Sequence, residues 1–583
     1  DFTLARDRGT IYNPWTGTSD PVELRAFTGP GIAAGAFVAP TIRIAPGQRL
    51  TIDLDNRLEP CTAEQVKEHR CFNETNLHTH GLWVSPSGNS DNVLISISPG
   101  EKFRYQYHIA ADHPAGTFWY HPHRHGSGFV QVGSGMAGAL IVTGNRKPTL
   151  KSPGDVDILL KDENGRPFPE RVMIFQQIQY GCLDDKGKIA GRMVKAVEEG
   201  VELEEYVAPW LCSTGAVGRI ESDDHDVAWN GSGRFTGING KVQPAMEPAR
   251  AGRFERWRLI HGGTRERVGM RLLRLADGAP DLRGVRAGDQ EAWIKQHCTG
   301  PALPMWQIAM DGLTRSAVRR TEVALLFPGE RIDVLARFPS AGRYCLLQNP
   351  SLIFNKPQPL RVLALIDAKG VASAPADAGT ELQALMIQAA ERALASGGQA
   401  PVRAKVVGDL RDGLKLASFA WHKPVADEEV SGYREALLNI IETPKRALFH
   451  VNGRPFDHDR LDMELPLGTA EEWHAVSLLG NHPLHMHVNP FQIVRIHNSK
   501  GEDVTDPKGP AFDPDYAGLL GEWKDTVFLK QDLRVAFRTR YERFTGDFVT
   551  HCHIMVHGDQ GMMLKLRIAD EGEAKEVAQH SGH

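Results

Sequence analysis

The chain has 583 residues, 41% hydrophobic and 24% charged, with a formal net charge of -5. That length exceeds one ordinary domain and fits about three or four. So small a net charge gives no general affinity for nucleic acid, and no run of about 18 apolar residues is present to span a membrane.

The first stretch, to about residue 150, alternates β-branched or aromatic runs with Gly/Pro punctuation. Thr41-Ile42-Arg43-Ile44, the turn Ala45-Pro46-Gly47 and then Leu50-Thr51-Ile52-Asp53-Leu54 read as strand, turn, strand. Few helical periodicities interrupt the pattern, which predicts a β-sandwich or barrel. Ser98-Pro99-Gly100-Glu101 opens a strand that leads through Gly116-Thr117-Phe118-Trp119-Tyr120 to His121-Pro122-His123. A polar linker follows from Lys151 to about Glu170, and the charged stretch Gly181 to Asp226 reads as an insertion on a second unit.

Phe327-Pro328-Gly329-Glu330 then repeats the opening turn and leads to Gly342-Arg343-Tyr344-Cys345-Leu346-Leu347. A third version runs from Gly546-Asp547-Phe548-Val549-Thr550 to His551-Cys552-His553. Five residues beyond Gly116, Gly342 and Gly546 stand His121, Leu347 and His551. Phe235-Thr236-Gly237-Ile238-Asn239-Gly240-Lys241 is echoed by Phe449-His450-Val451-Asn452-Gly453-Arg454. Self-similarity at so long a period predicts duplicated domains. We divide the chain at 1–150, 151–375 and 376–583, with metal ligands kept in the first and third units and lost from the second. Glu381 to Arg392 fits a short surface helix, and the charged tail after Ile568 is expected to fray, with His580 and His583 solvated.

Seven cysteines are present. Setting Cys552 aside leaves Cys61, Cys71, Cys182, Cys212, Cys298 and Cys345, an even set that permits three disulfides and an oxidising compartment. Cys61 and Cys71 are the favoured pair; connectivity of the others stays open. The opening Asp1-Phe2-Thr3 fits a mature periplasmic or secreted chain whose signal has been removed. Asn73-Glu74-Thr75 and Asn230-Gly231-Ser232 match the glycosylation tripeptide, a pattern common by chance.

The 24 histidines are clustered: His78-Thr79-His80, His121-Pro122-His123, His482-Pro483-Leu484-His485-Met486-His487 and His551-Cys552-His553. On a strand, each His-x-His pair puts two imidazoles on one face. Four pairs supply eight nitrogen ligands, too many for one ion and suited to a cluster of about three. Cys552 points to the other face, towards which His557 and Met562 can turn. Two His, one Cys and a weak thioether form a blue-copper ligand set. Zinc needs at most four ligands and no thioether. His125, which extends His121-Pro122-His123 to His-x-His-x-His, is read as a neighbour of the ligands or a surface group.

These four clusters resemble the copper motifs of the multicopper oxidases, the family of laccases, cuprous oxidases and bilirubin oxidases, in order and over most of the chain. The resemblance implies an all-β chain of three cupredoxin-like Greek-key sandwiches with short helical insertions, holding four copper ions. It implies that His482, Cys552 and His557, with Met562 axial, hold the type 1 copper. His78 and His485 would hold the type 2 copper, and His80, His121, His123, His487, His551 and His553 the type 3 pair. Met563 fits the axial role less well. Electrons would enter through the edge of His557, which the family leaves near the surface, and pass from Cys552 to its covalent neighbours.

Asp91, shortly after the first His-x-His-Gly, would relay protons, or sit as a turn residue in its Ser/Gly/Asn-rich loop. Some relatives carry a Glu directly after the last type 1 His; here that position is Gly558, followed by Asp559, which departs from the family's pattern for a second relay acid. Asp525 lies in a family-like stretch, placed to hydrogen-bond a ligand histidine. The activity implied is laccase-like: one-electron oxidation of phenolic or related donors, coupled to four-electron reduction of dioxygen to water, by a monomer. Alternatives are a cuprous oxidase, whose usual Met-rich run is missing among only 13 methionines, or a copper-resistance or copper-binding protein without turnover. A member of the fold that has lost its metals fits less well, since the ligand set is complete. A two-domain nitrite reductase would not need eight cluster imidazoles.

Overall fold

The strand Arg49–Asn56 shows how the sheets are built: its buried residues recur at every second position, the period of a pleated strand with one face on a core. The structure is a computed structural model that describes residues 1–67, 71–198, 201–221, 234–353, 356–370, 377–395, 399–444 and 446–570. Strands account for 42% of residues and helices for 13%, so the chain is all-β.

Three pairs of packed sheets follow one another. In the first pair a six-stranded sheet carries Phe2–Asn13, Thr18–Thr28, Arg49–Asn56 and Lys102–His108. It faces a four-stranded sheet ordered Ile42–Ile44, Gly138–Val142, Gly116–His121, His78–His80. The middle pair is built around Phe254–His261 and Arg331–Arg337 on one side and Val268–Leu275 and Gly342–Gln348 on the other. In the third pair, Ala470–Ser477 and Arg534–Arg540 face the sheet that holds His482–Met486, Gly546–Cys552 and Met563–Ala569.

The echoes read from sequence have matching structures. Asn239-Gly240 and Asn452-Gly453 both take positive φ (50° and 78°, 52° and 78°). Each asparagine then bonds the neighbouring strand alike, Asn239 to Ile174 N and Val172 O, Asn452 to Leu437 N and Glu435 O. Gly100 and Gly329 sit at φ 90° and 89° in the same turn, with Glu101 and Glu330 accepting from the backbone N–H of Ser98 and Phe327.

Two expectations change. Within the stretch Gly181 to Asp226, read as an insertion on the second unit, the strand Gly181–Leu183 pairs with Val217–Arg219, which pairs with Thr18–Thr28 and so extends the first unit, while residues 222–226 lie outside the described residues. The helix Ala378–Ala393 is longer than expected, and it lies at the surface with one face buried while Ala384, Gln388, Glu391 and Arg392 stay exposed. Leu382, Met386 and Ala390 pack with the second helix Ala400–Arg411 and with Phe254, Trp306 and Leu335 of the middle unit.

Disulfides Cys61–Cys71, Cys182–Cys212 and Cys298–Cys345 form, leaving Cys552 as a buried thiol. Asn73 is buried and bonded to Arg25 Nε and Glu59 O, so the folded chain does not present it for glycosylation. Asn230 to Ser232 and the tail beyond residue 570 lie outside the described residues.

Candidate metal centres

Register brings the histidine pairs together. His78 lies opposite His121 in the first unit, and His485 lies opposite His551 in the third. Alternation along His482–Met486 puts His485 and His487 on one face and His482 on the other, beside Leu484, whose cross-strand partner is Cys552. The odd spacings His482 to His485 and Cys552 to His551 therefore divide the ligands between two sites.

The first- and third-unit faces meet in one buried chamber. Ring stacking of His78 on His487 (3.8 Å) and of His80 on His485 (3.7 Å) crosses the interface. Nitrogen atoms of His80, His121 and His553 form one convergent group, those of His123, His487 and His551 a second, and His78, His80 and His485 a third. His123 Nε2 and His487 Nε2 lie 3.0 and 3.2 Å from His551 Nε2. On the opposite face, Cys552 Sγ lies 3.5 Å from His482 Nδ1 and 3.7 Å from His557 Nδ1, and the two nitrogens are 3.2 Å apart. Met562 is fully buried there, its N–H donating to His557 O while its own O accepts from Cys552 N. Met563 faces His551 across the sheet, on the chamber side.

The surroundings fix which nitrogen each ring presents. Asp91 Oδ2 takes His78 Nδ1–H (2.9 Å), while its Oδ1 accepts from Thr79 N and Thr79 Oγ1 (2.7 and 3.0 Å). His121 Nδ1, His485 Nδ1 and His551 Nδ1 are held by the carbonyls of Pro122, Asp525 and Cys552 (2.9, 2.8 and 3.0 Å). His78 Nε2, His80 Nδ1, His121 Nε2 and His485 Nε2 are then buried with no hydrogen-bond partner, as are both nitrogens of His553. Each such atom costs about 1–3 kcal/mol unless something binds it, so the donor set fits cations.

Burial, reinforced by neighbouring imidazoles, holds His78, His80, His123, His487 and His553 well below the usual histidine range; His121 falls to about 3 and His482 to about 4. Neutral imidazoles are the form that binds metal. Burial also pushes the Cys552 thiol up, so metal binding there must displace a proton.

Two segments match models described as multicopper oxidase, residues 31–147 and 429–572. The chain belongs to the multicopper oxidase family. It is 30% identical over 137 residues to a laccase of Haloferax volcanii, covering 23% of this chain and 22% of that protein. It is 19% identical over 544 residues to the multicopper oxidase mco of Staphylococcus epidermidis, covering 92% and 83%. The match spans under a quarter of the length of the first curated relatives. In fold it is similar to a multicopper oxidase of Campylobacter jejuni described as a metallo-oxidase, with TM-score 0.59, 19% identity and 97% and 90% of the two chains covered. Membership of the family implies that copper is the metal bound.

One feature departs from the sequence reading, and several residues were not legible in it. His557 is only 2% exposed and stacks on Phe449 (4.5 Å), so it presents no free edge at the surface. His125 lies edge-on to Phe456 and lines the same small cavity as His123 and His551, which agrees with its reading as a neighbour of the ligands. Asp559 accepts from Gly126 N and Phe129 N, capping the first-unit helix Gly128–Gly133 beside His123 and His551. Trp119, Arg331, Asp311 and Gly329 touch the chamber or its supports, yet only the Pro-Gly-Glu turn signalled any of them. Trp119 stacks on His121 at 4.2 Å.

Proposed function

We propose that this multicopper oxidase is a laccase-like enzyme that couples one-electron oxidation of small donors to reduction of dioxygen to water, using four coppers. The observation that carries the reading is the placement of Cys552. Its sulfur belongs to one convergent donor group, while its covalent neighbours His551 and His553 belong to two others. We read His482, Cys552, His557 and Met562 as the residues that would hold the type 1 copper. His78 and His485 are the type 2 pair; His80, His121 and His553 with His123, His487 and His551 are the type 3 ligands. Copper held at these positions would supply one-electron acceptance at Cys552 and four-electron reduction of dioxygen in the chamber.

The chain's own groups supply the rest. The Cys552 backbone is the shortest bonded path between the sites, and a second path runs through Cys552 O to His551 Nδ1–H (3.0 Å). Asp91 holds His78 through Nδ1, and burial raises its carboxyl to about 7, where it can both take up and give up a proton near neutrality. The division 1–150, 151–375 and 376–583 assigns the chamber to the first and third units. Three disulfides support an oxidising compartment, periplasmic or extracellular. No helix among the described residues is long and apolar enough to cross a membrane.

One observation favours a second reading, cuprous ion as donor: both type 1 imidazoles are buried, His482 fully, so a bulky phenol has no ring edge to stack on. Copper-loaded protein assayed by oxygen uptake separates these. A laccase-like enzyme consumes oxygen with a phenol; a cuprous oxidase consumes it chiefly with Cu(I); a blue protein that consumes none with either is a copper-binding protein without turnover.

A further inference from the structure

We propose that Arg331 of the middle unit and Asp525 of the third act as a positioning pair that turns His80 so that Nδ1, and not Nε2, faces the metal chamber. The inference rests on the copper reading above and adds a role for the unit that holds no ligands.

His80 is the reverse of its neighbours. His78, His121, His485 and His551 each tie up Nδ1 outside the chamber. His80 instead has Nε2 3.3 Å from Asp525 Oδ1 and 3.3 Å from Thr526 Oγ1, and its buried Nδ1 is partnerless. Thr526 Oγ1 itself donates to Asp525 Oδ1 (2.9 Å), and an ionised carboxylate only accepts. The proton of His80 therefore sits on Nε2 and the lone pair on Nδ1, where a metal can use it.

Arg331 holds Asp525 in that place. Nη1 donates to Asp525 Oδ1 (2.7 Å) and Nη2 to Oδ2 (2.6 Å), a bidentate pair in which both residues are buried. The other three guanidinium donors are also used: Nε to Thr117 O (3.3 Å), Nη1 to Gly329 O (3.2 Å) and Nη2 to Asp311 O (2.8 Å). All five N–H groups are thus fixed by acceptors from all three units, leaving the group one orientation. Asp311 is in turn bonded by Lys524 Nζ (3.0 Å), which also reaches Glu330 (3.1 Å).

The backbone makes room for the pair. A Cβ on Gly81, the residue after His80, would lie 2.2 Å from Arg331 Nη2 and 2.5 Å from Asp525 Oδ2. A Cβ on Gly329 would lie 2.8 Å from His553 Cδ2 and 3.0 Å from His80 Cε1. The middle unit therefore presses directly on the chamber although it supplies no ligand to it.

The test uses the full chain with Asp525→Asn and Arg331→Lys. Copper per chain is measured by mass spectrometry, EPR-visible spins by double integration, the Cys552 blue band serves as internal control, and melting of the copper-free protein reports folding. The expected result is a blue band per chain equal to wild type, chamber copper bound about 10–100-fold more weakly, and an altered ratio of EPR spins to copper. Arg331→Lys, which keeps the charge but has three donors for five acceptors, follows Asp525→Asn in direction. If Asp525→Asn does not fold, Arg331→Lys decides alone. Wild-type copper content and EPR in the folded variants overturn the proposal, as does equal loss at both sites with a lowered melting temperature, which marks a general structural role. A wild-type chain that binds no copper overturns the copper reading and this inference with it; a loaded wild type with unaffected variants overturns this inference alone.

Discussion

Asp91→Asn is the smallest change that separates a carboxylate that merely fills a turn from one that sets a ligand. Asp91 is an acceptor on both sides: Oδ2 for His78 Nδ1–H, Oδ1 for Thr79 N–H and Oγ1–H. An amide has the same shape but only one acceptor atom. If its oxygen stays with Thr79, its NH2 faces His78 Nδ1–H, donor against donor. His78 can relieve that by moving its proton to Nε2, the atom that is otherwise free for a metal. If the amide flips, the Thr79 N–H is stranded instead. One buried donor is lost either way, about 1–3 kcal/mol in the copper-free protein. Metal affinity at the His78 site falls about 10–100-fold. Chemical unfolding of copper-free protein gives the first quantity, and copper titration under a competing chelator gives the second. A variant within about 0.5 kcal/mol of wild type that binds chamber copper equally well would refute the reasoning.

Three further outcomes follow. Gly329→Ala places a side chain at φ 89° and within 3.0 Å of His80 and His553; beyond about 1–2 kcal/mol of backbone strain, it should lower chamber copper without bleaching the blue band, read by copper analysis and visible absorption. Burial raises the Glu266 carboxyl to about 7, against the opposing pull of Arg265 and Arg267. The folded chain then binds a proton that the unfolded chain has lost, so stability is highest below the unfolded value and falls as pH rises from about 4.5 to 7, by up to about 1.4 kcal/mol per unit. Glu266→Gln should flatten that slope in urea titrations of copper-free protein; an unchanged slope counts against it. Removing the Cys298–Cys345 bridge, with a separation of 47 residues, should cost about 4 kcal/mol on the chain-entropy estimate, measured by chemical unfolding of the double alanine variant.

Much of the site was legible because its chemistry is local in sequence. His-x-His on a strand needs only the two-residue period, and the intervening Cys552 follows from the same rule. The repeats were legible because the two Asn-Gly turns, at Gly240 and Gly453, and the two Pro-Gly turns, at Gly100 and Gly329, keep the same positive φ in both copies. What sequence hid is long-range. Arg331 lies 194 residues from Asp525 and 214 from Thr117, and no periodicity joins them. Gly181 to Asp226 read as an insertion on the second unit because nothing local reveals that Val217–Arg219 pairs in parallel with Thr18–Thr28. The burial of His557 depends on packing against Phe449, which residue type alone does not specify.

The account rests on Cys552 joining two sites, and Cys552→Ser tests that most directly. The hydroxyl keeps the volume but loses the soft thiolate on which the blue-copper site depends. Copper analysis, visible absorption and oxygen uptake on the same sample should show the blue band gone and donor-driven oxygen uptake abolished. Copper held by His123, His487 and His551, and by His80, His121 and His553, should be retained. A Cys552→Ser protein that still reduces oxygen at the wild-type rate with the same donor would contradict the account.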